Sequence, residues 1–158
     1  MNTPVSRRHF IKQSTTAGTI GAITFPSILR AKDTQKKITV GVVGLSRGLG
    51  HLRKYMEASN CEVAYACDVD DRRIASGLNI AKDYLKKFPQ TKDPKGVNDF
   101  QRILDDKSID AISIAMPNFW HTTAAIRAMQ AGKHVYVEKP GSQNSREAEL
   151  LVAASRKY

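Results

Sequence analysis

The sequence predicts an α/β domain organised as a doubly wound parallel sheet. Two observations carry the prediction. Short apolar, β-branched runs alternate with segments of helical spacing from residue 38 to the C-terminus of the 158-residue chain. The first run also closes on a glycine immediately before a helix opens, which is how a strand feeds a crossover helix in a parallel sheet.

Residues 38–43 form the opening strand, closed by Gly44, and residues 49–58 carry helical spacing. Residues 61–67 are apolar enough for a buried parallel strand. Asp70 or Asp71 can cap a helix running to about Lys87, with Ile74, Leu78, Ala81 and Leu85 on one side. Residues 88–96, with two prolines and a glycine, read as a loop. Asn98 or Asp99 caps a short helix through Leu104, and residues 109–115 form a strand.

Pro117-Asn118 then breaks the chain. Residues 121–131 are helical with Gly132 as the stop signal, and residues 134–137 form the next strand. Asn144 or Ser145 starts a last helix, with Glu147 and Glu149 near its positive end and Arg156 and Lys157 near its negative end. Strands alternating with helices place helices on both faces of the sheet and ligands beyond the carboxyl ends of the strands.

The first thirty or so residues stand apart. Ser6-Arg7-Arg8-His9-Phe10-Ile11-Lys12 fits the twin-arginine export consensus, and a modest apolar stretch follows, interrupted by Gly18, Gly21 and Pro26. That stretch is too short and too weakly apolar for a permanent membrane span. The organisation expected is an export signal at 1–31, with Leu29-Arg30-Ala31 the candidate cleavage point, a polar linker at 32–37, and one domain at 38–158. The twin-arginine translocase is the partner implied, and the periplasm or another exported location the destination.

The formal charge of +10 falls to +6 once Arg7, Arg8, Lys12 and Arg30 leave with the signal. The remaining cations are scattered among acids and have few aromatic partners, which argues against a nucleic-acid groove. Cys61 and Cys67 lie on one face of a strand but roughly 20 Å apart at about 3.3 Å per residue, beyond disulfide reach. They show no metal-ligand spacing with the histidines, and no metal site is expected.

The chemistry collects at strand ends. Between Gly41 and His51 the chain passes from strand to helix through Gly44, Ser46, Arg47 and Gly48. Glycines there let backbone approach a pyrophosphate and offer N–H groups at a helix N-terminus. The pattern departs from G-x-G-x-x-G, with Ser46 in place of the second glycine.

Asp68 ends the second strand twenty residues after Gly48, where a carboxylate can accept from both adenosine ribose hydroxyls. It would repel a 2′-phosphate, which favours NAD over NADP, although Arg47, Arg72 and Arg73 lie close enough in sequence to reverse this. Pro117, Asn118 and His121 follow the strand at 109–115, and Glu138 and Lys139 follow the strand at 134–137, all on the same edge of the sheet. An exported protein that uses such a cofactor gains by folding around it in the cytoplasm, and the twin-arginine route carries folded cargo.

With these residues in place the chain resembles the N-terminal half of the Gfo/Idh/MocA oxidoreductases, from about Ile38 to Tyr158. The resemblance rests on Pro117-Asn118-Phe119-Trp120-His121, on Ala131-Gly132-Lys133-His134-Val135 and on Glu138-Lys139-Pro140. It implies a Rossmann-like fold holding NAD(P), an adenosine-ribose contact at Asp68, and Asn118 and His121 bordering the nicotinamide ribose. It also implies that Lys139 assists hydride transfer at a sugar or polyol hydroxyl, with His121 as second catalytic candidate.

Family resemblance further implies a second domain that supplies substrate specificity and oligomer contacts, so the full-length protein is expected to be a homo-oligomer. That substrate domain is missing from the sequence. The chain therefore reads as a truncated oxidoreductase, inactive alone. Two alternatives stand beside this reading: an NAD-dependent glycoside hydrolase using tightly bound NAD, and a non-catalytic dinucleotide-binding module.

Overall fold

The computed structural model describes residues 37–89 and 92–158. The export signal and all but the last residue of the linker lie outside them. Five parallel strands, β1 (Ile38–Val43), β2 (Cys61–Cys67), β3 (Lys95–Val97), β4 (Ala111–Ile114) and β5 (His134–Val137), form one sheet in the order β3-β2-β1-β4-β5. Between and after them run α1 (Gly48–Glu57), α2 (Asp71–Lys87), α3 (Gln101–Asp105), α4 (Asn118–Gln130) and α5 (Ser145–Lys157).

The chain therefore winds outward from β1 in one direction through β2 and β3, then crosses back to lay β4 on the other side of β1. This is the doubly wound, Rossmann-like arrangement. Its crevice opens where the winding reverses, beyond the ends of β1 and β4.

Period-two alternation distributes the core over both faces. Val40, Val42, Val63 and Ala66 face α1 and α2, where Leu52, Met56, Ile74 and Ala81 complete one cluster. Val43, Ile112 and Ile114 face the other way, against Ile103, Leu104, Ala124, Ala125 and Ala128. Leu52 and Met56, one turn apart, are almost wholly removed from water, each worth roughly 1.5–3 kcal/mol.

Asp70 is the carboxylate that caps α2, accepting from the Arg72 amide at 2.9 Å. Asn144 caps α5 through the Glu147 amide. Gly132 ends α4 with φ +74, its N–H on Met129 O and the next N–H, of Lys133, on Ala128 O, which is the paired closure a left-handed glycine allows.

Two expectations change. The segment read as loop at 88–96 contains the start of β3, Lys95–Val97, a strand too short and polar to signal itself. It forms because Cys67 and Tyr65 on β2 give it a parallel partner. Helix α4 begins at Asn118, three residues before the expected start, because Pro117 stands just ahead of its first turn, where the missing N–H costs nothing.

On the edge away from the crevice, Lys133 is buried and donates to Asp106 O at 2.6 Å and Ile109 O at 2.9 Å. The Asp106 carboxylate collects the Ser108 hydroxyl, the Ser108 amide and the Tyr65 hydroxyl. These hold its carboxyl down to about 2, the Ser108 hydroxyl contributing most. The folded value lies below an unfolded one near 3.9, so this charge stabilises the fold above pH ~4 and is lost as pH falls toward 2. Asp106→Asn should therefore lower the urea midpoint at pH 6, and the gap to the parent should close by pH 2.

Candidate functional site

The glycine turn is pinned on three sides. Gly44 N–H donates to Cys67 O at 2.8 Å, Leu45 N–H donates to Asp68 Oδ2 at 2.7 Å, and Gly48 N–H donates to Gly44 O at 3.0 Å. Gly44 has φ +87, and a Cβ placed on it would stand 2.5 Å from Ala115 O at the end of β4. No side chain fits there. Gly48 is buried against Val42 and Ala115, at 3.2 and 3.5 Å from where a Cβ would sit, and brings α1 down onto the sheet.

Ser46 breaks the expected glycine spacing without strain, because the positive φ of this turn falls on Gly44. The Arg47 position ahead of α1 makes no side-chain capping bond. The hydrogen bonds within the turn leave the Ser46 and Arg47 amides uncommitted. A helix N-terminus in this state suits an anion.

Gly44, Ser46, Arg47 and Asp68 line a cleft of about 570 Å³, and Pro117, Asn118, His121, Glu138 and Lys139 complete it from the ends of β4 and β5. Of the residues singled out in the sequence, Gly48 alone stays beneath it. Asp68 does more than the sequence suggested. Besides holding Leu45, its Oδ1 accepts from the Asp70 amide at 3.1 Å. Arg72 is drawn onto Asp70 by a two-pronged contact, while Arg73 lines the cleft with Arg47.

His121 is almost wholly buried. Its Nδ1 lies 2.7 Å from Pro140 O and its Nε2 2.8 Å from Met116 O. Both ring nitrogens thus face backbone carbonyls, from the end of β4 and from the loop after β5; the neutral ring donates to one of the two and only the imidazolium to both. The Lys139–Pro140 peptide in that loop is cis.

Sequence reasoning passed over His51. Its Nε2 lies 2.9 Å from Glu138 Oε1 and its Nδ1 2.8 Å from Ser113 Oγ. The signal available was its place one turn into α1, directly behind the glycine turn. It also passed over a smaller apolar cleft of about 280 Å³ beside Asp68, lined by Val69, Phe100, Phe119 and Trp120.

A family model described as an oxidoreductase family with an NAD-binding Rossmann fold, Gfo/Idh/MocA, matches residues 38–158. The chain belongs to the Gfo/Idh/MocA family. Its relatives include a glycosyl hydrolase family 109 protein of Saccharopolyspora erythraea, 30% identical over 128 residues, covering 80% of this chain and 28% of the relative. An inositol 2-dehydrogenase of Salmonella typhimurium is 28% identical over 126 residues, covering 76% and 34%.

Among solved structures, a 3-ketoreductase from Actinomadura kijaniata in complex with NADP superposes with TM-score 0.60, at 27% identity over 77% of this chain and 34% of that one. A dehydrogenase from Bordetella pertussis in complex with NADH gives 0.61, at 25% identity over 77% and 33%. The chain spans about a third or less of these relatives' lengths. It is an NAD-binding domain of the Gfo/Idh/MocA oxidoreductases.

Removing the Asp68 carboxylate should act twice. Asp68→Ala should weaken NAD binding about tenfold or more, the scale of a charged hydrogen bond, and lower the unfolding temperature through the orphaned Leu45 amide. Asp68→Asn should keep the turn while reducing discrimination against NADP. Calorimetric titration with both cofactors checks this, and unchanged affinities would remove Asp68 from the site.

Proposed function

We propose that this chain is the dinucleotide-binding part of an exported oxidoreductase that transfers hydride between a sugar or polyol carbon and a nicotinamide cofactor. One observation carries the reading: Asp68, the uncapped start of α1 and Lys139 come from three separate strand ends and line one cleft. Sheet order then sets the direction of a bound dinucleotide. The Ser46 and Arg47 amides take the pyrophosphate, Asp68 takes the adenosine ribose, and the apolar slot of Val69, Phe100 and Trp120 beside it takes the base. The other half of the molecule runs toward the ends of β4 and β5.

NAD fits better than NADP because Asp68 stands where a 2′-phosphate would arrive and Arg72 is turned to Asp70. Arg73 and Arg47 keep NADP possible. When bound, the cofactor supplies the hydride acceptor or donor. Lys139 then holds the substrate hydroxyl and takes or returns its proton. His121 acts through position, since it is buried with both its nitrogens facing backbone carbonyls. Asn118 and Pro117 form the floor beside it.

A second reading has a specific observation in its favour, because a 30% identical relative is a glycosyl hydrolase family 109 protein. In that reading the same site would hold NAD tightly as a transient oxidant, so that a sugar could be oxidised, lose its glycosidic substituent by elimination, take up water in its place and be reduced again, with no net change in the cofactor. Such recycling suits an exported protein, which meets little free cofactor. The longer protein would assemble as a homo-oligomer in either case.

The two chemistries separate by assay of a protein that carries this chain together with its substrate-binding portion. Oxidoreduction changes nicotinamide absorbance in step with sugar consumed, while the glycosidase cleaves an aryl glycoside with no net change. Lys139→Ala should lower turnover at least a hundredfold in either, with cofactor affinity nearly intact. Full activity in that variant would end the assignment of Lys139.

Export rests on the paired arginines followed by Phe10, Ile11 and Lys12. Changing Arg7 and Arg8 together to lysine should hold a folded reporter fused to residues 1–37 in the cytoplasm. Continued export would show that another route is used.

A further inference from the structure

The corner at the end of β5 holds a row of side chains that the proposed chemistry does not itself require. Tyr55 O–H donates to Ser113 Oγ at 3.4 Å, Ser113 Oγ lies 2.8 Å from His51 Nδ1, and His51 Nε2 lies 2.9 Å from Glu138 Oε1. Carboxylate, imidazole and hydroxyl in sequence suggest a hydrolytic triad, but Ser113 is fully buried in β4 and no substrate can reach it.

The row is instead a device for fixing Glu138. An ionised carboxylate accepts and cannot donate, so His51 Nε2 supplies the proton, and in the neutral tautomer this fixes, Nδ1 accepts from the Ser113 hydroxyl. Tyr55, Ser113 and His51 then donate in one direction, and the Glu138 carboxylate accepts at the end of the row. The Tyr136 ring packs edge-on to His51 at 5.4 Å and holds its plane. The His51 hydrogen bond, helped by the electrostatic pull of the same ring, the Lys139 amide and the Arg47 charge, keeps the Glu138 carboxyl below the usual carboxylate range against the cost of its burial.

Glu138 lines the cleft with its side chain 18% exposed. It follows directly on β5, across β1 and β4 from Asp68, which follows β2, and so at the end of the cleft opposite the adenosine ribose proposed at Asp68. That is the nicotinamide half. A nicotinamide ring is cationic when oxidised and neutral when reduced, so a fixed carboxylate beside it stabilises the two forms unequally.

We propose that Glu138, held in place by His51, makes this site favour the oxidised cofactor over the reduced one. The proposal rests on the dinucleotide-binding reading above and adds the cofactor's resting state to it. Glu138 is the binding residue and His51 a positioning residue that acts through it. Arg47 and Lys139 are the cations facing the same carboxylate. Both are unchanged when Glu138 alone is neutralised, so a difference measurement isolates its charge.

Dissociation constants for NAD⁺, NADH and ADP-ribose should be measured by calorimetry on the chain, on Glu138→Gln, on His51→Gln and on the double variant, with thermal unfolding recorded for each. Glu138→Gln is expected to raise the NAD⁺ constant relative to the NADH constant by roughly fivefold. ADP-ribose, which lacks the nicotinamide, should bind as before. His51→Gln should change the same ratio, and the double variant should match Glu138→Gln because the two act as one unit.

An unchanged ratio, or an equal loss for all three ligands, would overturn the proposal and leave the dinucleotide reading standing. A ratio in the double variant equal to the sum of independent effects would overturn the role of His51. Failure of the parent chain to bind any of the three at millimolar concentration would overturn the dinucleotide reading itself.

Discussion

The close approach of Gly44 to the end of β4 governs the rest of the cleft. With its Cβ position 2.5 Å from Ala115 O, this residue must be glycine, and with φ +87 it must turn where it does. The turn then directs α1 across the face of β1, so that Gly48 can press on Val42 and Leu52 can enter the core. The Leu45 amide locks the geometry from the side by reaching the Asp68 carboxylate on β2. The ribose and phosphate sites proposed above are in this way two ends of one hydrogen bond, and their spacing is set before any ligand arrives.

The two edges of the sheet divide the family's motifs between them. Glu138-Lys139 and Pro117-Asn118 face the cleft. The Ala131–Val135 phrase belongs to the opposite edge, where Gly132 closes α4 and Lys133 reaches two carbonyls of the α3–β4 connection. A buried ammonium needs acceptors, and two strand-end carbonyls supply them. Residues on which the family resemblance rests therefore include some that hold the fold at the edge away from this cleft.

The alternation of strands and helices was legible because period and punctuation are local properties. β1, β2 and β5 fall on their expected residues, and Asp70 and Asn144 act as the caps their types suggest. β3 was illegible because its three residues are strand only by virtue of β2 beside it. The strand read as 109–115 narrows to Ala111–Ile114 for a related reason, since pairing with β1 starts at Ala111. Strand-end residues such as Asp68 and Lys139 could be gathered at one edge from topology alone. His51 could not, because its partners Ser113 and Glu138 lie 62 and 87 residues away.

His51 and His121 show what sequence position leaves undetermined. His121 sits in a phrase that marks the family, yet its two nitrogens meet two backbone carbonyls, and the ring works as a strap between the ends of β4 and β5. His51 sits in no phrase, yet it meets a hydroxyl on one side and a carboxylate on the other, so its proton has a defined side and its partner keeps a charge. The strap fixes where Lys139 stands, and the polarised row fixes which charge stands next to it. The hydride transfer proposed for this site would need both, because transfer depends on the placement of the reacting carbon and on how the surrounding field weighs the charged ring against the neutral one.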